Sequence, residues 1–153
     1  MSVTWVSSPA LVIDASVAVW AVMPSMQDKG VDTFSRLGNW RANGLTLAAP
    51  VLWLAEATSS IRRAVYAKVL SAENGHRAIE QLFALEIETA SLSETLCKAA
   101  FDWAGRLGQA RAYDGFYLAL ANSLGAEFWT ADRRLVNGAK QAGISWVRWI
   151  GEN

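Results

Sequence analysis

Cysteine, histidine, proline and charge are all scarce in this chain of 153 residues. The single cysteine, Cys97, excludes an intrachain disulfide and fits a reducing cytoplasm. Its helical surroundings predict a small core residue. His76 is the one histidine, and with Cys97 also alone there is no ligand set for zinc. Proline-rich linkers, low-complexity segments and internal repeats are missing, so residues 1–153 read as one domain, long enough to bury a core. No apolar run approaches the length of a membrane-spanning helix. The stretch Met1 to Ala10 lacks the charged start of a secretory signal. Fourteen basic and fourteen acidic residues leave zero net charge, so bulk charge does not advertise a nucleic-acid partner.

What is abundant is apolar surface: 52% of residues are hydrophobic against 18% charged, with eight tryptophans. Such a balance predicts a sheet covered on both faces, with some surface left for a partner. Strand and helix patterns alternate. Leu11–Ile13, Leu45–Ala48, Glu86–Ala90, Glu127–Thr130 and Ser145–Val147 read as strands. Helical spacing is read over Ser16–Val22, Met26–Arg41 (with Val31, Phe34 and Leu37 on one side), Val51–Val69, Ser71–Ala84, Ser93–Leu107, Phe116–Leu124 and Asp132–Gln141. Pro50 fits the first turn of the third helix. Leu54, Thr58, Ile61, Val65 and Val69 lie along one side of that helix. The alternation predicts an α/β fold with a parallel sheet and helices on both faces.

Four acids stand among apolar or small neighbours at element junctions: Asp14 in V-I-D-A-S, Glu56 in W-L-A-E-A, Asp114 in A-Y-D-G-F and Asp132 in W-T-A-D-R. In a parallel α/β sheet, ligand sites form beyond the carboxyl ends of the strands. A carboxylate drawn toward a core is costly unless it is paired, and several together raise one another's pKa. A divalent cation answers both problems, and an all-oxygen set suits Mg²⁺ or Mn²⁺. Asp14, Asp114 and Asp132 also occupy plausible helix-capping positions. Glu56, inside a helix, has a salt bridge to Arg63 as its plain alternative.

Taken together the motifs resemble those of the PIN-domain ribonucleases, most closely the VapC-like toxins of toxin–antitoxin pairs. L-V-I-D-A-S-V at Leu11 to Val17, L-A-E-A at Leu54 to Ala57, Y-D-G-F-Y-L-A-L-A at Tyr113 to Ala121 and W-T-A-D-R-R-L at Trp129 to Leu135 carry the resemblance, in order. It implies a three-layer sandwich with a central parallel sheet of about five strands. It also implies a metal-dependent endoribonuclease, holding one or two divalent ions and leaving 5′-phosphate and 3′-hydroxyl ends. Matched residue by residue, Asp14, Glu56, Asp114 and Asp132 are the catalytic, metal-binding acids, with Asp132 at a second ion or acting through water. Ser16 and Thr130 match supporting hydroxyls. Arg62, Arg63, Arg111, Arg133 and Arg134 are candidates for RNA phosphate contacts, with Arg133-Arg134 best placed. The resemblance further implies a homodimer and an antitoxin partner near the first helices, where Trp20, Trp40 and Trp53 fall.

Other readings fit less well. A response-regulator receiver needs an acid pair at the first strand and a lysine after the last, and neither is present. An aspartate-nucleophile phosphatase needs D-x-D where Ser16 replaces the second acid. A housekeeping PIN nuclease without an antitoxin, or a catalytically silent PIN-like binding module, are the nearer alternatives.

Overall fold

A computed structural model describes residues 9–153. The reading of Met1 to Ala10 therefore falls, apart from its last two residues, outside the described residues. Five parallel strands form the sheet: β1 (Ala10–Ile13), β2 (Thr46–Pro50), β3 (Glu88–Ala90), β4 (Glu127–Thr130) and β5 (Val147–Trp149). Their spatial order is β3-β2-β1-β4-β5. The chain steps outward from β1 to β2 and β3, then returns to place β4 on β1's other side. The carboxyl ends of β1 and β4 therefore meet where the winding reverses, the place where open α/β sheets bind ligands. Asp14 follows the end of β1 and Thr130 ends β4.

Seven α-helices, with one 3-10 turn at Pro24–Met26, complete the described fold: α1 (Ala15–Val22), α2 (Thr33–Ala42), α3 (Trp53–Tyr66), α4 (Ala72–Ala84), α5 (Glu94–Arg106), α6 (Tyr113–Leu124) and α7 (Arg133–Gln141). Phe128 and Trp129 show that both sheet faces are covered, because successive strand side chains point to opposite faces. Phe128 stacks on Tyr117 of α6, ring centroids 5.3 Å apart. Trp129 meets Trp40 of α2 at 4.9 Å. β1 lies between these layers, and its Val12 and Ile13 are buried. Helix α6 is apolar nearly all round, as its sequence predicts, and Gly125 closes it in the left-handed conformation at φ 62°. Ser71 and Ser93 cap α4 and α5 by accepting from Asn74 N and Leu96 N.

Several expectations are corrected. The helix foreseen over Met26–Arg41 begins only at Thr33, because the Asp32 carboxylate accepts from Ser35 N and sets the start there. Leu37 is buried but Phe34 is exposed. Pro50 ends β2 instead of opening a helix: it pairs with Ala90, and the next N–H, on Val51, donates to Ala90 O. Proline is tolerated at such a terminal position because the ladder there does not use its missing N–H. Helix α3 buries Trp53, Ala57, Ile61 and Ala64, so of the side read from spacing only Ile61 is fully buried, with Leu54 and Val65 half-buried and Thr58 and Val69 exposed. Cys97 is exposed, with Leu96 and Ala100 taking the inward positions of α5. The last strand starts two residues later than foreseen, at Val147.

The carboxy-terminal strand is tied down by an arginine. Arg36 stacks over Trp129 at 4.5 Å and over Trp40 at 5.3 Å, while its NH1 donates to Ile150 O at 3.0 Å. The same nitrogen donates to Glu152 O. Charged hydrogen bonds of this kind contribute about 1.5–3 kcal/mol. Arg36→Ala is expected to cost about 2 kcal/mol and lower the melting temperature by about 4–8 °C in thermal unfolding. An unchanged melting temperature would show the clasp to be ornamental.

Candidate active site

Asp14 is 8% exposed and sits at the N-cap position of α1, yet its side chain caps nothing there. Instead its Oδ2 accepts from Ser16 Oγ and Thr130 Oγ1, both at 2.7 Å. Each hydroxyl has one proton, so both are committed to this carboxylate. The oxygens accept in turn: Ser16 Oγ from Ala131 N at 3.0 Å, and Thr130 Oγ1 from Asp132 N at 3.0 Å. Both bonds fall on one carboxylate oxygen, leaving Oδ1 free of protein donors among the described residues. Burial drives the Asp14 carboxyl up to about 7; the two hydroxyls pull it down, and Asp114 and Glu56 push it further up.

Glu56 lies in the first turn of α3, half-buried, and accepts from the Tyr117 hydroxyl at 2.6 Å. Its carboxyl is raised by burial and by Asp114, against the Tyr117 hydrogen bond. Tyr117 is fully buried, and burial drives its phenol far above the usual range, so it acts as a neutral donor. Asp114 is the second residue of α6 and accepts from Gln109 Nε2 at 3.0 Å. Burial and then the Asp132 charge raise its carboxyl, with Gln109 opposing them. Helix α6 begins at Tyr113 with Ala112 as its N-cap, so capping does not explain Asp114. Asp132 does cap: its Oδ1 accepts from Arg134 N at 2.9 Å and Leu135 N at 3.3 Å.

Asp14, Glu56 and Asp114 line one open pocket of about 440 Å³ with Ser16, while Asp132 stands beyond its rim and reaches Asp114 through charge. None of the four acids forms an ion pair among the described residues. The salt bridge from Glu56 to Arg63 is not made; Arg63 donates to Ser60 Oγ at 3.0 Å. As placed, no three carboxylates among the described residues stand close enough to form a ready-made metal cage. The donor set nevertheless fits a hard cation. It is all oxygen, its charge is uncompensated, and Mg²⁺ keeps several waters while bound through one or two carboxylates.

The five candidate arginines are scattered. Arg63 lines the pocket, and Arg111 is exposed in the loop just before α6. Arg62 borders an apolar groove between α3 and α4. Arg134 is exposed beside Asp132. Arg133 is already engaged, 3.7 Å over the Trp149 ring and 3.5 Å from Asp28. Trp53 is buried, while Trp20 and Trp40 are half-buried against the core. Sequence reasoning missed Tyr117 and Gln109. A tyrosine in the middle of an almost wholly apolar helix was the available signal, since a buried phenol needs a partner.

A model of the family described as the PIN domain matches residues 11–141. No curated protein matches the chain. Among solved structures, PAE2754 from Pyrobaculum aerophilum superposes with a TM-score of 0.68 at 14% identity, over 97% of this chain and 90% of that one. VapBC2 from Rickettsia felis, bound to a DNA fragment from its promoter, gives 0.61 at 12%, over 92% and 96%. VapC20 from Mycobacterium tuberculosis, a sarcin–ricin-loop-cleaving toxin, gives 0.58 at 20%, over 90% and 98%. At such identities the likeness speaks for the fold.

Proposed function

The chain belongs to the PIN domain family, and from that premise we propose that it is a divalent-metal-dependent endoribonuclease, the toxin of a toxin–antitoxin pair. One observation carries this reading: three acids with no cationic partner share a pocket at the sheet's switch point, each pinned through one oxygen by neutral donors. A structural ion-pair network would have paired them; a site for a hard cation leaves them unpaired. Asp14, Glu56 and Asp114 would hold Mg²⁺ or Mn²⁺ through their remaining oxygens, with Asp132 assisting from the rim. The chemistry such an ion supplies is acidification of water and neutralisation of phosphate charge.

The protein's own groups supply positioning. Ser16 and Thr130 fix the Asp14 carboxylate, Tyr117 fixes Glu56 and Gln109 fixes Asp114. Arg63 supplies a cation at the pocket wall for the phosphate backbone. RNA as substrate is supported by the resemblance and by the likeness to VapC20, and an antitoxin partner by the likeness to VapBC2. A homodimer, a single domain over residues 1–153 and a cytoplasmic site of action belong to the same reading.

Cleavage of total RNA tests it, with Mg²⁺, Mn²⁺ or EDTA, and with Asp14→Asn as control. Cleavage that needs the ion and vanishes in the variant supports the nuclease; metal-independent cleavage, or a folded protein that neither cuts RNA nor binds Mn²⁺, rejects it. A neighbouring gene for a small DNA-binding protein would favour the toxin over a housekeeping nuclease. Tyr117→Phe, which removes only the hydroxyl, is expected to weaken Mn²⁺ binding by about 10–100-fold in titration calorimetry. In a Glu56→Gln background the same change should add little, because its effect runs through Glu56.

A further inference from the structure

The pocket continues beyond the acids. Ser59, Ser60 and Arg63 line it together with Glu56, and they follow Glu56 on one face of α3 at helical spacing. Ser60 lies about 6 Å further along the helix axis and Arg63 about 10 Å. This strip offers hydroxyls and a cation to a phosphate backbone leaving the acids. Across the pocket stands Tyr113, the residue before Asp114 and the first of α6. Tyr113 is 55% exposed, and its hydroxyl makes no hydrogen bond among the described residues. Other aromatics are more exposed, such as Tyr66 and Phe101, but they do not line this pocket.

Tyr113 is thus an aromatic surface beside the acids, with no structural partner for its polar end. Burying it would have served stability better; leaving it open at a phosphate-handling site serves stacking. Resting on the ribonuclease reading above, we infer that Tyr113 is the platform on which the nucleobase beside the scissile phosphate stacks, so that the site takes an unpaired nucleotide of RNA. A base held in a duplex cannot reach such a face, whereas a looped or single-stranded base can turn out onto it. The backbone then runs from the acids along α3 toward Ser60 and Arg63.

The test uses the full chain carrying Asp14→Asn, to prevent cleavage, and a fluorescein-labelled ribouridylate decamer followed by anisotropy. Adding Tyr113→Ala is expected to weaken binding about tenfold or more, while Tyr113→Phe or Tyr113→Trp retains it. The slope of log affinity against log salt should stay the same in Tyr113→Ala, since no phosphate contact is lost. In Arg63→Ala it should fall by about 0.7. Unchanged affinity in Tyr113→Ala overturns the platform while leaving the nuclease reading intact. A lost salt slope in Tyr113→Ala also overturns it, by showing that the change disturbed the backbone strip. If the parent does not bind the decamer, the platform fails. Cleavage of total RNA by wild type then decides separately whether the nuclease reading fails with it.

Discussion

Asp14→Asn is expected to lower metal-dependent cleavage by more than about a hundredfold. Loss of an outer-shell partner alone typically costs about 10–100-fold, and the proposed reading puts Asp14 at the ion itself. The same variant should be more stable than wild type when metal is removed. The wild-type carboxyl rises from 3.8 to about 7 on folding, chiefly through burial. A carboxyl raised in the folded state stabilises the protein fully below pH 3.8, and that contribution is lost as pH climbs toward 7. The loss amounts to about 4 kcal/mol. Asparagine keeps an oxygen for Ser16 and Thr130 and carries no charge, so it escapes this penalty. Urea unfolding in EDTA at pH 5 and pH 8 should show wild type losing stability across the interval and the variant losing much less. Glu56 and Asp114, raised in the same direction, leave a smaller residual slope. Saturating Mg²⁺ should narrow or reverse the difference, because ligand binding stabilises only the protein that binds it. A variant less stable than wild type at pH 8 in EDTA would contradict the assignment of Asp14 as a strained, uncompensated acid.

Gly115→Ala is expected to do large structural damage for a single added methyl. A Cβ at Gly115 would lie 2.2 Å from the Ala100 carbonyl oxygen and 3.0 Å from its carbon. Those atoms are backbone of α5 and cannot swing aside as a side chain would, so the two helices must separate. Overpacking of this kind costs about 3 kcal/mol, or about 6–12 °C in melting temperature for a chain this size. The shift would carry Asp114 with it, since the two residues are adjacent at the start of α6. Thermal unfolding checks the first effect and Mn²⁺ titration the second. A variant that melts within about 2 °C of wild type would mean that α5 and α6 can part without cost.

Much of this was legible from the sequence where one local rule decided the outcome. Gly125 ends a helix, Ser71 and Ser93 begin two, and the β-branched run Leu11–Ile13 makes the central strand. The positions of Asp14 and Asp132 followed from those boundaries. Spacing shows an apolar side of α3 but not which residues are buried: Trp53 and Ala57 are, while Val69, more apolar than Ala57, lies beyond the helix end and is exposed. Spacing alone cannot see where a helix stops. Cys97 was misplaced for a related reason: α5 packs through small residues, Ala100 and Ala104, leaving the thiol outside. Tyr117 and Gln109 escaped notice because their roles are relational. Tyr117 matters through an oxygen 61 residues away, and no local pattern records that.

The bond between Thr130 and Asp14 spans 116 residues of chain, and its consequence lies in time. A ribosome adding about 5–20 residues per second delivers Asp132 roughly 6–24 s after Asp14. Until β4 emerges and slides in beside β1, the growing polypeptide displays Asp14 without its two hydroxyl clamps complete and without the acids of the last third. On the proposed reading, order of synthesis sets when the site exists: the acid pocket is completed only after most of the chain has left the tunnel.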